Sequence, residues 1–317
     1  MLTLKRTLIA LVALIALSLP ALASDVWLSC AKIFFIYALL ALSQDMVLGR
    51  AGVYDMGHAL YFGLGGYAFA IALNHGYNMP AAVFIAMLMP AVLAFALSSV
   101  AVHLKGDYFL LVSIGYNFIF SRIINNNPFG LTNGPNGIFD ISPEPMFGID
   151  IATPVLVYYY SLSALLVVVW LLHNFDRSRY GRALFFTHQD ELAALSMGIN
   201  PRNLRIASFA FSGALAGIAG ALFALEYGGV APEMCTVQES IIIFAIVIVG
   251  GQGSLFGTLV GTIIMYVLPE LIRGFEQMRY LIFGIVMVAI MVVRPNGLIP
   301  IKYGYFPKKY FKRTSDE

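Results

Sequence analysis

Charge is what this sequence has least of. Lys and Arg number 19 and Asp and Glu 17 among 317 residues, 11% in all, where soluble domains carry about 25%. A chain so poor in charge and 60% hydrophobic cannot cover a globular surface with polar groups, so it reads as an integral membrane protein. Cysteine is also scarce. Cys30 and Cys235 lack metal-ligand spacing, which leaves either a bridge on the external side or two unpaired thiols in apolar surroundings. No G-x-x-x-x-G-K-[ST] occurs, so the chain has no P-loop to cradle nucleotide phosphates. Five histidines (His58, His75, His103, His173, His188) show no H-E-x-x-H or related metal pattern. No G-x-S-x-G nucleophile elbow occurs either. These gaps argue against an enzyme, a metal centre and a bound cofactor.

Long apolar runs are abundant, and each membrane crossing needs about 20 apolar residues. Read against turn residues, they give ten candidate crossings near 7–24, 28–47, 57–74, 80–103, 107–124, 153–174, 205–225, 239–250, 254–272 and 280–293. The fold class expected is an all-α polytopic membrane protein, a single domain over 1–317. The first run follows Lys5-Arg6 and precedes Ala21-Leu22-Ala23. It is read as a retained first helix, with a cleavable secretory signal as the alternative. Cytoplasmic segments would then hold Lys5, Arg6, Arg50, Lys105, five arginines of the 176–205 loop, Arg294 and the basic tail, 15 of the 19 basic residues. The external connection 125–152 carries Asp140, Glu144 and Asp150 and no Lys or Arg. Both termini are therefore expected in the cytoplasm. The net charge of +2 says little, because placement of Lys and Arg sets topology. The same topology accounts for the basic loop without nucleic acid.

Glycine interrupts the apolar pattern twice in comparable ways, at Gly49-Arg50-Ala51-Gly52 and at Gly250-Gly251-Gln252-Gly253. Matching breaks in two halves can mark an internal repeat and a translocation path, although the following glycines fall out of register. Gly213-x-x-x-Gly217 and Gly253-x-x-x-Gly257-x-x-x-Gly261 place small residues on one helix face, where backbones approach closely in lipid. They are read as packing within the subunit. Ionisable groups inside a membrane are functional candidates, and Asp45, Arg50, Asp55 and His58 crowd the first break. One reading has Arg50 bridging Asp45 and Asp55 to hold the broken backbone. Another has Arg50 meeting a solute carboxylate and an aspartate its ammonium. Arg122 stands near the external end of its span, and Asn133-Gly134-Pro135-Asn136-Gly137 reads as a tight external turn.

The one long charged interruption is 176–205, with Arg177, Arg179, Arg182, Arg202 and Arg205. Its middle predicts a short helix. Thr187 can cap it, Asp190 and Glu191 suit its positive end, Gly198 can end it, and Pro201 forbids its return. At roughly 100° per residue, Leu192 and Leu195 fall on one side and Ala193, Ala194 and Met197 on the other. A helix apolar on two faces is expected between two partners, one of them outside this chain.

Glu191-x-Ala193-Ala194-x-x-x-Gly198, following Gly181-Arg182-Ala183-Leu184, resembles the cytoplasmic coupling loop of ABC importer permeases, in particular those of branched-chain (hydrophobic) amino-acid uptake. The resemblance extends through LGRAGVYDMGHALYFGLGGYAFA at 48–70, KGDYFLLVSIG at 105–115, LTNGPNGI at 131–138, FSGALAGIAGALFAL at 211–225, IVGGQGSLFGTLVG at 248–261 and RPNGLI at 294–299. It implies a permease subunit of the bacterial inner membrane, paired with a second homologous permease chain, two ATPase subunits and a periplasmic solute-binding protein. ATP and Mg would be bound by the ATPases. Glu191, Ala193, Ala194, Gly198 and Arg182 would form the contact that couples them, with Ala193 and Ala194 small so that an ATPase surface can approach. Urea, short amides or another small organic solute are alternatives within that family. From another class, a proton-coupled secondary transporter would use Asp45, Asp55 or His58 as a relay, but leaves the 191–198 helix unexplained.

Overall fold

The computed structural model describes Pro20 and residues 25–101, 104, 107–141, 153–267, 279–294 and 297–299. The predicted first crossing, Lys105, Glu144, Asp150 and the basic tail lie outside the described residues. The described residues are all-α apart from one short ribbon. Its elements are α1 (Asp25–Asp45, extended by a π turn over Met46–Arg50), α2 (Ala59–Asn74), α3 (Met79–Ala101), α4 (Asp107–Asn125) and α5 (Pro154–Arg177). Two short helices follow, α6 (Arg179–Gln189) and α7 (Glu191–Ser196). Then come α8 (Pro201–Tyr227), α9 (Val237–Gly250), α10 (Leu255–Thr262, with a π turn over Ile263–Val267) and α11 (Arg279–Val293).

Among the described residues, five helices can cross a membrane by length and composition: Val26–Arg50, Met79–Ala101, Tyr108–Asn125, Pro154–Arg177 and Pro201–Tyr227. Shorter apolar helices are Ala59–Asn74, Val237–Gly250 and Leu255–Val267. The five long ones divide sharply in burial. The α1 and α8 spans are 72% and 67% buried, against 28%, 22% and 33% for α3, α4 and α5. The inner pair forms the centre of the bundle. The outer three turn Phe84, Val92 and Phe95, Phe118 and Ile119, and Val167 and Trp170 outward, as side chains facing lipid do.

α8 is central because glycine lets it be. A side chain at Gly213 would strike the Pro90 carbonyl, one at Gly217 the Ala86 carbonyl, and one at Gly220 the Phe62 carbonyl. Pro90 lies inside α3 and has no N–H, so the Ala86 carbonyl four residues earlier loses its helical donor. Gly217 seats the α8 backbone against that carbonyl. The small-residue stripe thus packs within the subunit, as expected. Lys32 of α1 and Glu226 of α8 form a buried ion pair at 2.7 Å, which gives the intramembrane lysine its partner. Cys30 and Cys235 are both free and buried, so no bridge joins them.

At one end of the bundle, Ile138–Phe139 (β1) pairs antiparallel with Gly229–Val230 (β2). The turn before β1 is tight, as its sequence predicts. Asn133, Gly134 and Gly137 have positive φ, and Asn127 Oδ1 accepts from the Thr132 and Asn133 amides at 3.1 and 2.9 Å.

Candidate functional site

Opposite the ribbon, α1 does not simply stop. Its last turns widen into the π turn Met46–Arg50, a distortion that often marks functional positions, and the chain then runs irregularly to His58. Asp45, fully buried, faces both glycine breaks at once. Its Oδ2 accepts from Arg50 Nη1 at 2.5 Å, and its Oδ1 accepts from the Gly253 amide at 2.6 Å. A side chain on Gly49 would strike the Gly253 amide and the Asp45 carboxylate. Glycine is required there by close approach, and the two breaks found in sequence are one structural element. Gly251 and Gly253 have φ of 117° and 75°, a region only glycine enters readily. The 297–299 strip closes the element from the other side, with Leu298 N donating to Val249 O at 2.9 Å and Ile299 N to Gly250 O at 3.0 Å.

Arg50 does not bridge Asp45 to Asp55. Its second partner is Asp176, at the end of α5, held by Nε to Oδ1 at 2.7 Å and Nη2 to Oδ2 at 3.1 Å. This two-point fork is the strong geometry for a guanidinium. The π turn aims Arg50 across the bundle towards α5, while the irregular segment after Gly52 carries Asp55 away. Asp55 instead accepts from the Gly57 amide at 2.8 Å and pairs with His58 Nδ1 at 3.3 Å. His58 Nε2 lies 2.8 Å from Ser43 Oγ, which donates to the Leu40 carbonyl at 2.6 Å. The four residues grouped by sequence therefore form two clusters. Asp176 was missed, and its only signal was an acid opening an otherwise arginine-rich loop.

The 176–205 loop contains two helices where one was expected. Thr187 caps neither, for its hydroxyl donates to Ala183 O at 2.9 Å within α6. Asp190 is the cap. Its carboxylate accepts from the Leu192 and Ala193 amides, both at 3.0 Å, and this bonding breaks the helix at Asp190. Ser178 caps α6 through the Gly181 amide at 3.1 Å. Gly198, at φ +76°, ends α7, with Ile199 N returning to Ala194 O at 3.0 Å. Pro201 is the first residue of α8, behind the cap Asn200.

α7 has one buried side and one outward side, divided differently from the expectation. Ala194 is fully buried against the chain itself, so its small size serves the seat of α7 and not an incoming surface. Ala193 and Met197 turn outward with Leu192 and Leu195; Leu192 is 77% and Met197 60% exposed. Glu191 is engaged within the chain, 3.3 Å from Arg205 of α8. Arg182, exposed, donates to the Arg177 carbonyl at 2.7 Å. His188 was also missed. It lies on the inner side of α6 with Leu184 and Thr187, and a side chain at Gly52 would run into its ring. Burial and the nearby Arg205 hold its imidazole below the ordinary value of 6.5, against a hydrogen bond to the Gly49 backbone. That helical spacing was the available signal.

A helical bundle with two central spans, glycine-broken segments tied by buried charge, and a capped helix pair presenting apolar side chains defines a membrane transport subunit. The family model for the branched-chain amino acid transport system permease component matches residues 27–292. The chain belongs to that family, and is a permease subunit of an ABC importer. It is 33% identical to the high-affinity branched-chain amino acid transport permease protein LivM of Escherichia coli K12, over 94% of this chain and 75% of that protein. Identity to LivM of Salmonella typhimurium is 32%, over 90% and 73%. With BraD of Pseudomonas aeruginosa it is 24%, over 83% and 91%. No solved structure matches.

Proposed function

We propose that this chain carries branched-chain or other apolar amino acids through the bacterial inner membrane. It does so as one of two homologous permease chains, with ten crossings and both termini in the cytoplasm. Two ATPase subunits bind ATP and Mg, and a periplasmic binding protein delivers the solute. The observation that carries the reading is the outward apolar face of α7, Leu192, Leu195 and Met197, on a helix capped at both ends and set between two spans. Water does not favour three large apolar side chains presented together on a short cytoplasmic helix, and a partner surface does. Closure of the ATPases would push α7. The push passes through Glu191–Arg205 into α8, and through His188 and Asp176–Arg50 into the two glycine breaks.

The test is co-purification of the ATPase followed by transport in vesicles. Leu192→Asp should abolish both, since a charge on the contact face costs area and complementarity. Asn203→Arg, exposed beyond α7, should be mild. Normal assembly and uptake with Leu192→Asp would remove the coupling role. Uptake driven by a proton gradient in this chain alone would favour a secondary transporter.

A further inference from the structure

Three polar contacts run in series from the irregular segment that ends at His58 back into α1. Asp55 Oδ2 lies 3.3 Å from His58 Nδ1, His58 Nε2 lies 2.8 Å from Ser43 Oγ, and Ser43 Oγ lies 2.6 Å from the Leu40 carbonyl. Asp55, His58 and Ser43 are each no more than 1% exposed. The backbone oxygen of Ser43 also accepts from the Ser212 hydroxyl of α8, so the series fastens the irregular segment to both central spans. Two titratable groups of other elements, Tyr61 of α2 and Tyr116 of α4, line a small crevice with Asp55. Tyr61 meets the His58 ring edge-on, with centroids 5.6 Å apart. The nearby Asp45 and Arg50 are engaged with each other.

The protons available decide how these contacts are made. A carbonyl only accepts, so the contact at Leu40 takes the one proton of the Ser43 hydroxyl. Ser43 Oγ then meets Nε2 only as an acceptor, which requires a proton on Nε2. The Gly57 amide donates to Asp55 Oδ1 at 2.8 Å and suits a carboxylate there. A carboxylate also only accepts, which requires a proton on Nδ1. Neutral imidazole has one proton for these two contacts, and the other would set lone pairs face to face in a buried place, where an unmade bond is costly. Turning the Ser43 hydroxyl to a bare Nε2 does not help, because two oxygens 2.6 Å apart would then have no proton between them. We propose that Asp55 and His58 form a proton-binding site in the core of the permease, with a proton on each ring nitrogen of His58, and that this proton fastens the irregular segment to α1 and α8. The pair then carries no net charge, as burial inside a membrane protein favours. The proton is held and not relayed, because the series ends on a backbone carbonyl that has none to pass on. Its loss costs one of the three contacts and loosens the segment that follows the first glycine break.

Nitrogen-15 solid-state NMR of the full-length chain in lipid bilayers reads the ring directly. Gly57-His58 is the one Gly-His pair in the sequence, so labelling of glycine carbonyls together with histidine assigns this ring. At the pH at which vesicles take up solute, both ring nitrogens should be protonated. A bare nitrogen at either position overturns the proposal. Asp55→Asn separates a bound proton from hydrogen bonding alone. Its amide can accept from Gly57 and donate to Nδ1, so every contact survives with His58 neutral. That variant should fold with Nδ1 bare and Nε2 still protonated, and an imidazolium that persists in it overturns the role of Asp55. Stability against pH is the second readout. Where the native wild type holds one proton more than the unfolded chain, its unfolding constant should rise about tenfold per unit of increasing pH. Asp55→Asn should lack that rise, and equal slopes in the two proteins overturn the site.

Discussion

The two ends of the bundle are built on opposite plans. Beneath the 176–205 loop, charges are buried and matched: Asp45 serves Arg50 and the Gly253 amide, and Arg50 forks onto Asp176. Glycines there are required by contact. At the ribbon end, rings surround open space and two carboxylates face it. A tied end transmits displacement, because groups locked by short bonds move together or not at all. The comparison teaches that one chain divides rigidity and room between the two membrane faces.

The most damaging way to break this contrast is to fill the tied end. Gly253→Leu must place a side chain at φ +75° beside Asp45, and should abolish folding or transport. Ala289→Leu, on the exposed side of α11, should be tolerated. Yield of folded protein and uptake by each variant are the readouts, and equal tolerance would deny the glycine element any special role.

Arg50→Ala comes next. It leaves Asp45 buried without its cation, a loss of about 3–5 kcal/mol for a buried pair, visible as reduced folded yield and melting temperature. Arg50→Lys should recover only part, since an ammonium cannot fork onto Asp176. Full yield with lost transport would instead assign Arg50 to the solute.

A smaller effect should follow pH. His188 has a folded pKa below its ordinary 6.5, so the native state binds fewer protons than the unfolded chain between those two values. Its contribution is present above 6.5 and is lost as pH falls from there through the folded value. Melting of the complex from neutral to about pH 5 should show this slope, and His188→Asn should flatten it. At the open end, Phe139→Ala at the rim should change stability by no more than about 0.5 kcal/mol. A large stability loss there would erase the difference between the two ends.

Composition and pattern alone determined the membrane class, the apolar runs that became helices, the two glycine breaks and the loop set apart by its arginines. These follow from local chemistry: apolar length, missing donors and capping residues act within a few positions of themselves. The family motifs were likewise legible in the chain. Which charge meets which was not. Asp55 is nearer in sequence to Arg50 than Asp176 is, yet the π turn decides where the guanidinium points, and a small change in helix winding redirects a long side chain by a whole neighbour. The inward turn of Ala194, the packing of His188 on Gly52 and the meeting of Gly49 with Gly253 belong to the same kind. Each depends on segments distant in sequence arriving at one place, and only the tertiary structure decides that arrival.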